Sequence, residues 1–273
     1  MATLKDISVR LKSIKNIQKI TASMKMVSAA KFAKAERDLR PAKAYGNGAK
    51  AFYQCAEIGE ADKPLSGHLI IAVTSDRGLC GAAHSSVVKA IRECVRATPE
   101  VETTRLVLIG DKSRGMLVRQ YGANVLFTFS EVGRKPPTFE DASFIAQSIM
   151  SSDFKFDKAS LYFNVFKSVV SYSTTAQPLY GIDTISRSQK LSIYDEIDEE
   201  ALRCYNEFLL TSFIYYALKE ASCSEQSARM TAMDSATKNA DEMTQKLTLA
   251  FNRTRQAAIT KELTEIISGA AAV

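Results

Sequence analysis

The feature that most constrains this chain is a long C-terminal stretch that contains neither glycine nor proline. The stretch runs from Ile182 to Ser268, and within it apolar residues recur at steps of three and four. Residues at that spacing lie on one face of an α-helix, so the pattern predicts a single helix that begins at Asp198 or Glu199. Roughly 60 to 70 helical residues at about 1.5 Å each would reach on the order of 90 to 105 Å. Because a compact domain of this size is narrower, we expect part of the helix to leave the main body and to need a partner helix.

The N-terminus carries a second stretch of the same kind, since residues 1–40 also lack glycine and proline. We expect this helix to end between Pro41 and Gly48, or to continue with a bend toward Phe52 and Tyr53. Because the two stretches lie at opposite ends of the chain, an antiparallel pair would bury both apolar faces. The apolar positions of the N-terminal stretch are Leu4, Ile7, Leu11, Ile14, Ile17, Ile20, Met24 and Val27.

The N-terminal stretch is strongly basic, with eleven lysines and arginines against three acidic residues in positions 1–43. Such a face fits a nucleic acid, an anionic membrane surface or an acidic protein surface. The segment has no interleaved aromatic residues and no recognisable nucleic-acid module, which disfavours the first. A basic, acid-poor start also resembles a transit peptide, but the long aliphatic stripe and the matching C-terminal helix favour a place in the mature fold.

Composition excludes several functional classes. No run of eighteen apolar residues occurs, so we expect membrane association only through a partner. The five cysteines are widely spaced without a CxxC pair and there are only two histidines, a pattern typical of reduced, packed thiols. We therefore expect neither a metal nor a cofactor.

The middle of the chain, about residues 66–190, changes period and alternates strand-like and helix-like segments. This alternation predicts right-handed βαβ crossovers and an open α/β sheet covered on both faces. The predicted fold class is α/β, with a Rossmann-like open α/β domain inserted into a long antiparallel coiled coil. The predicted strands are His68–Ser75, Leu106–Ile109 and Val125–Phe129, and Leu161–Phe166 with Val169–Tyr172 predicts one or two more. The predicted helices are Ala83–Ala97, Lys112–Tyr121 and Phe139–Ser152. The predicted divisions are residues 1–58 (N-terminal helix), 66–190 (α/β domain) and 199–273 (C-terminal helix).

Enzyme chemistry has three weak candidates in this middle region. The segment Ser75–Gly81 lies between a strand and a helix, where α/β folds cradle phosphates, but it matches neither GxGxxG nor a Gly-Lys-Ser/Thr loop. Within it, Cys80 beside Arg77 could be an activated nucleophile. Asp111 and Asp141 could form an acid/base pair, although aspartates at such places are commonly helix caps.

The end of the C-terminal helix combines charge with an apolar tip. Arg253, Arg255, Gln256 and Lys261 cluster there, and Ile266–Val273 is small, apolar and uncharged. A frayed terminus explains this pattern, and so does a tip that enters a hydrophobic sleeve. Arginines just below such a tip would suit bidentate pairing with carboxylates on the sleeve.

Several separated motifs are spread along essentially the whole chain. They are Leu4–Ile7, Ile14–Thr21, Ser23–Val27, Ser75–Gly81, Ser224–Met233 and Phe251–Val273. Together they resemble one known family, the gamma subunits of F-type ATP synthase, and most closely the animal mitochondrial form. The resemblance implies a non-catalytic rotor shaft rather than an enzyme. The residues alone leave open a basic coiled-coil adaptor or an α/β nucleotide-binding enzyme with a coiled-coil handle.

The resemblance implies that proton-driven rotation of a c-ring is coupled through this chain to conformational cycling of catalytic beta subunits, during ATP synthesis or hydrolysis. It implies as partners the alpha and beta subunits of the catalytic hexamer, the small delta and epsilon stalk subunits and the c-ring, with no nucleic acid. The implied location is the matrix side of the mitochondrial inner membrane, with the membrane reached only through the c-ring.

The resemblance also implies roles for particular residues. Contacts with beta subunits are implied for Arg253, Arg255, Gln256, Met24, Lys25, Arg77, Cys80 and Lys89. A bearing tip is implied for Ile266, Ile267, Ala270 and Ala271, and a foot on the c-ring for Tyr194 and Asp195.

Overall fold

The computed structural model describes residues 3–58, 67–97, 103–186, 190 and 198–271. Its packing forms two compact units, an α/β unit of residues 29–229 and a helical unit made of residues 1–28 and 230–273. The predicted division into 1–58, 66–190 and 199–273 rests on secondary structure and stays a prediction. The helices are α1 Leu4–Cys55, α2 Ala83–Ala97, α3 Asp111–Tyr121, α4 Phe139–Met150, α5 Ile182–Ser186 and α6 Glu199–Ala271, and the strands are β1 His68–Val73, β2 Thr104–Ile109, β3 Val125–Phe129, β4 Lys158–Phe166 and β5 Tyr172–Tyr180.

The sheet of the α/β unit has the strand order β3-β2-β1-β4-β5. Strands β1, β2, β3 and β4 pair in parallel, and β5 runs antiparallel to β4. This arrangement confirms the predicted open α/β sheet and adds an antiparallel edge strand to it.

Side chains that alternate along the central strands fill two separate cores, one on each face of the sheet. On one face, Ile70 and Leu108 pack with Val87 and Ile91 of α2 and Leu117 of α3. The core on the other face draws on α4, α1 and α6 as well as on the strands, through Leu69, Ile71, Val107, Ile145, Ala49, Tyr53, Leu209 and Phe213. Both faces of the sheet are therefore covered, as the near-continuous apolar character of β1 and β2 requires.

The long helices approach each other closely inside the α/β unit. A Cβ atom at Gly46 of α1 would lie 2.5 Å from the ring of Tyr216 in α6, so only glycine permits this spacing. About two turns farther along α1, the rings of Tyr53 and Phe213 stack with centroids 5.6 Å apart. Aromatic packing thus fixes α1 against α6 beside the sheet.

Helix α1 follows the longer of the two expectations, because it passes through Pro41 and ends at Cys55. A proline inside a helix removes one backbone hydrogen bond and disfavours the helix locally. Its neighbours Leu39 and Ala42 are buried, so tertiary packing offsets that cost.

The prediction of a strand at Val169–Tyr172 is wrong. A turn occupies this place, with the Ser168 amide donating to the Ser171 carbonyl at 2.9 Å and the Ser171 amide donating back at 3.2 Å. The last strand begins only at Tyr172 and pairs in register with β4 up to Tyr180.

The helical unit contains an antiparallel pair of helical segments. The amide of Gln18 donates to Asp241 at 3.1 Å, Thr237 donates to Thr21 at 2.9 Å, and Lys25 pairs with Asp234 at 2.6 Å. As one residue number rises the other falls, which confirms the predicted antiparallel pairing. Its buried positions are mostly small or polar and include Thr21, Ser28, Met233 and Ala240. None of the helices in the described ranges has the length and apolar character needed to cross a membrane.

Candidate functional site: the loop after β1 and the surface of the helical unit

The loop Ser75–Gly81, which follows β1, is held from two neighbouring segments. Its Asp76 amide donates to the Val132 carbonyl at 3.1 Å, and the Asp76 carboxylate accepts from the Asp111 amide at 2.9 Å. At Gly110, where φ is +94°, a Cβ atom would lie 2.7 Å from the Ser75 amide nitrogen. The residues that follow β1 are therefore packed directly against the residues that follow β2.

Helix α6 supplies the third attachment through Arg229. The guanidinium of Arg229 donates to the Gly78 carbonyl at 3.2 Å and to the Gln226 side-chain oxygen at 3.0 Å, and it forms an ion pair with Glu225. Arg229 and Glu225 are both buried. An arginine with several directional donors and a paired carboxylate fixes the loop to the helix. We call Arg229, Glu225 and Gln226 the loop clamp.

His84 fixes the loop from the first turn of α2. Its Nε2–H donates to the Arg77 carbonyl at 2.9 Å, and Ser75 Oγ lies 3.4 Å from the same nitrogen. Burial lowers the pKa of His84, while the Arg77 carbonyl opposes that shift. The ring is therefore neutral at pH 7 and acts as a structural donor.

Cys80 does not have the character of an activated nucleophile. The residue is only 2% exposed, and burial raises the pKa of its thiol, with the Glu225 carboxylate adding to the shift. A buried protonated thiol is unreactive. The nucleophile alternative is therefore wrong for Cys80, and its predicted contact with a beta subunit stays a prediction.

The other two predicted contact residues of this region, Arg77 and Lys89, are exposed. The Arg77 carbonyl is held by His84 while its side chain reaches solvent. Lys89 stands on α2 with Glu93 4.0 Å away. Arg77 is thus presented from a loop whose backbone is fixed by buried contacts, and Lys89 from the helix that follows this loop.

The aspartate pair considered for acid/base chemistry is engaged in local structure. Asp141 accepts hydrogen bonds from the amide and hydroxyl of Thr138 at 2.8 and 2.9 Å and completes the capping box of α4. Asp111 begins α3 and lies 3.9 Å from Arg114. Asp141 is a cap, the alternative that its place at a helix start favoured.

In the helical unit, the predicted contact residue Lys25 already has a partner. It pairs with Asp234, which also binds Lys238 at 2.8 Å. These two cations, Lys238 first and Lys25 second, hold the pKa of Asp234 at about 2. Met24 beside Lys25 is half-buried.

The predicted arginine girdle and tip lie along the last turns of α6. Arg253, Arg255 and Gln256 are exposed, as are Ala270 and Ala271, and Ile266 and Ile267 are 71% and 59% exposed. Ile259 and Leu263 are exposed as well and precede them at helical spacing, so the four large residues share one face. We call Ile259, Leu263, Ile266 and Ile267 the apolar end stripe. Tyr194 and Asp195, predicted as the c-ring foot, lie outside the described residues.

Sequence reasoning missed the loop clamp and the role of Asp234. The spacing of Glu225 and Arg229, four apart on a helix, was the one available signal of an ion pair. Nothing in that spacing identifies the Gly78 carbonyl as the third partner, because Gly78 is 151 residues away.

A family model and several known proteins match this chain along nearly its whole length. The family model described as ATP synthase matches residues 3–273. A relative from Rattus norvegicus, named ATP synthase F(1) complex subunit gamma, mitochondrial, is 57% identical over 274 residues and covers 100% of both chains. The Drosophila melanogaster protein named ATP synthase subunit gamma, mitochondrial, is 55% identical and covers 100% of this chain and 91% of its own length.

Solved structures share the fold at lower identity. A chain of the Euglena gracilis mitochondrial ATP synthase, solved with OSCP, F1 and c-ring, superposes with a TM-score of 0.83 at 19% identity, covering 98% of this chain and 94% of its own. A chain of the Tetrahymena thermophila mitochondrial ATP synthase central stalk and c-ring gives a TM-score of 0.67 at 23% identity, covering 80% and 99%. With the full-length match to the family model and more than half of the residues identical to those of two relatives, the chain belongs to the family of ATP synthase gamma subunits.

Proposed function

We propose that this chain is the central rotor shaft of a mitochondrial F-type ATP synthase. It couples rotation of a c-ring to the conformational cycling of beta subunits during ATP synthesis and hydrolysis. The observation that carries the proposal is the contrast between the well-filled α/β unit and the exposed apolar end stripe, in a chain 57% identical along its whole length to a gamma subunit. An exposed apolar stripe of this kind marks a binding surface.

The chain acts as a non-catalytic subunit in this proposal. In other α/β folds the loop after β1 binds phosphates through its backbone N–H donors. In this chain the Asp76 N–H of that loop already donates to the Val132 carbonyl. Nucleotide chemistry is assigned to the beta subunits, and this chain changes their relative nucleotide affinities by contacting each of them differently.

The partners are the alpha and beta subunits, the small delta and epsilon subunits and the c-ring. Arg253, Arg255 and Gln256 bind a loop of one beta subunit, and the apolar end stripe with Ala270 and Ala271 turns inside a hydrophobic bearing. Their exposure on α6 supports both contacts. The stripe reaches the bearing through Ile259 and Leu263 as well as through the predicted Ile266 and Ile267.

Acidic surfaces of the beta subunits bind at Met24 with Lys25 in the helical unit, and at Arg77 with Lys89 in the α/β unit. The exposed cations support these contacts. Cys80, which is buried within the loop, serves here as packing. Lys25 must share its charge between Asp234 and the partner.

The proposed location is the matrix side of the mitochondrial inner membrane, in keeping with the mitochondrial relatives. Tyr194 and Asp195 form the proposed foot on the c-ring, through which the chain reaches the membrane.

Reconstitution tests this function. The full chain is mixed with purified alpha and beta subunits, the complex is isolated by size exclusion, and its stoichiometry and ATP hydrolysis are compared with those of the isolated chain. We expect one copy per three alpha and three beta subunits, with hydrolysis by the assembly only. Turnover by the isolated chain without assembly would contradict the shaft.

A further inference from the structure

A cavity of about 230 Å³ in the α/β unit has many more cationic than acidic residues in its lining. It lies between α1, α6 and the loop that precedes α4. Five cationic side chains and one carboxylate face it, and we call it the basic cavity. Its charged residues are Lys31, Lys34, Arg134, Lys135, Lys219 and Asp38.

Lys219 is the most informative of these residues because it is only 8% exposed. Lysine is almost never buried to that extent unless it is paired. Its ammonium lies 3.6 Å from the Asp38 carboxylate and 5.4 Å from the centroid of the Tyr215 ring. Both contacts are long for a group with three strong donors, so the cavity offers a buried positive charge that is only partly compensated.

The neutral residues of the wall also favour an anion. Ser222 contributes a hydroxyl donor. The side-chain oxygen of Gln226 already accepts a hydrogen bond from Arg229 at 3.0 Å. Its amide nitrogen is therefore the group that Gln226 can offer to a ligand, and it can only donate.

Backbone restraints shape the loop side of the cavity. Pro136 and Pro137 fix the backbone on one side. Gly133, where φ is +85°, holds the start of that loop so close to Ser75 that a Cβ atom would lie 2.8 Å from the serine Cβ. The two remaining walls are helices. A site that is already formed loses little free energy to ordering when a ligand binds.

We propose that the basic cavity binds a phosphate group. Its volume lies below the roughly 300 to 1,000 Å³ of pockets that enclose drug-sized ligands, so the anion is compact. Phosphate and pyrophosphate oxygens match a cluster of lysine and arginine donors. None of its lining residues is among those proposed to contact the beta subunits.

The test is calorimetric titration of the full chain with pyrophosphate at constant low ionic strength. We expect saturable binding at one site. Lys219→Met should weaken it by about tenfold or more, since a hydrogen bond to a charged group is lost. The pair Arg134→Ala with Lys135→Ala, on an exposed loop, should weaken it similarly without threatening the fold. The matched control is Lys155→Met, an exposed lysine outside the cavity, which should change affinity by less than about twofold.

Further titrations distinguish the source of the phosphate group. Inorganic phosphate, ADP and monomeric short-chain phosphatidic acid are compared, and the tightest binder that the cavity variants weaken identifies a free phosphate, a nucleotide or a lipid headgroup. Absence of saturable binding by all four probes would overturn the proposal, as would equal losses in Lys155→Met. Tighter binding of hexaglutamate, lost in the same variants, would also overturn it and assign the cavity to an acidic polypeptide.

Discussion

The α/β unit and the helical unit use the same two long helices in opposite ways. In the α/β unit, α1 and α6 bury large side chains such as Tyr53 and Phe213 against the sheet. In the helical unit the buried positions are mostly small or polar, and large residues such as Leu249 and Ile266 stay exposed. Hydrophobic burial within the chain therefore stabilises the first unit. The second unit presents apolar surface, which is what a shaft inside a collar of other subunits needs.

The two units should differ most in how much stability is lost when a large apolar side chain is truncated. Phe213→Ala should destabilise the chain by about 3 to 5 kcal/mol, because the ring is fully buried and stacks on Tyr53. Ile267→Ala, on the exposed end stripe, should change stability by less than about 0.5 kcal/mol. Urea unfolding followed by far-UV circular dichroism measures both. Equal losses would mean that the stripe is buried within the chain itself.

Removal of the loop clamp should give the next largest effect. Arg229→Met leaves Glu225 as a buried charge without its cation and should cost about 3 kcal/mol or more. Hydrogen exchange should rise at the amides of residues 75–81. The double variant Arg229→Met with Glu225→Met should be less destabilised than the single one, because no lone charge remains. Additive losses in the double variant would show that the two residues act independently.

The girdle on α6 should show the reverse pattern, with little effect on stability and a large effect on function. Arg255→Ala with Gln256→Ala should alter stability by less than about 0.5 kcal/mol, since both side chains are exposed. We expect the variant to weaken the coupling of ATP hydrolysis to rotation in the reassembled complex. Lys246→Ala, also exposed on α6, is the matched control. Unchanged turnover and torque in the double variant would remove these two residues from the proposed contact.

The smallest expected effect is a loss of thermal stability at low pH that depends on Asp234. Because Lys238 and Lys25 depress the pKa of Asp234 to about 2 from its ordinary 3.8, this carboxylate stabilises the fold above pH 3.8. That contribution is lost as the pH falls through about 2. The difference in thermal midpoint between the wild-type chain and Asp234→Asn should therefore be present at pH 5, decline below pH 3.8 and be small near pH 2. Glu242→Gln, at an exposed position on α6, should show no such convergence.

Local patterns in the sequence predicted most of the fold. Ala83–Ala97 and Val125–Phe129 are found with the predicted bounds, because strand and helix periods are properties of neighbouring residues. Strand β5 was missed because it is half-buried, contains Pro178 and is defined by pairing with β4. A pattern search has no access to that pairing.

The candidate site was less accessible to the sequence. Exposed contact residues such as Arg77 and Arg255 could be named from motifs. The burial of Cys80 and His84 could not be predicted in this way, because it depends on α6 packing over a loop that is distant in sequence. The sequence shows whether a residue is acidic, basic or a thiol. The protonation state of that side chain depends on the groups that surround it in the fold.

The proposal that the end of α6 lies inside the alpha and beta subunits is tested most directly by hydroxyl-radical footprinting. The full chain is labelled both free and assembled with these subunits. We expect Leu263, Ile266 and Ile267 to be labelled strongly in the free chain and protected in the assembly. Leu69, buried in the sheet, should stay unlabelled in both. Unchanged labelling of the three end-stripe residues after assembly would contradict a shaft whose end turns inside its partners.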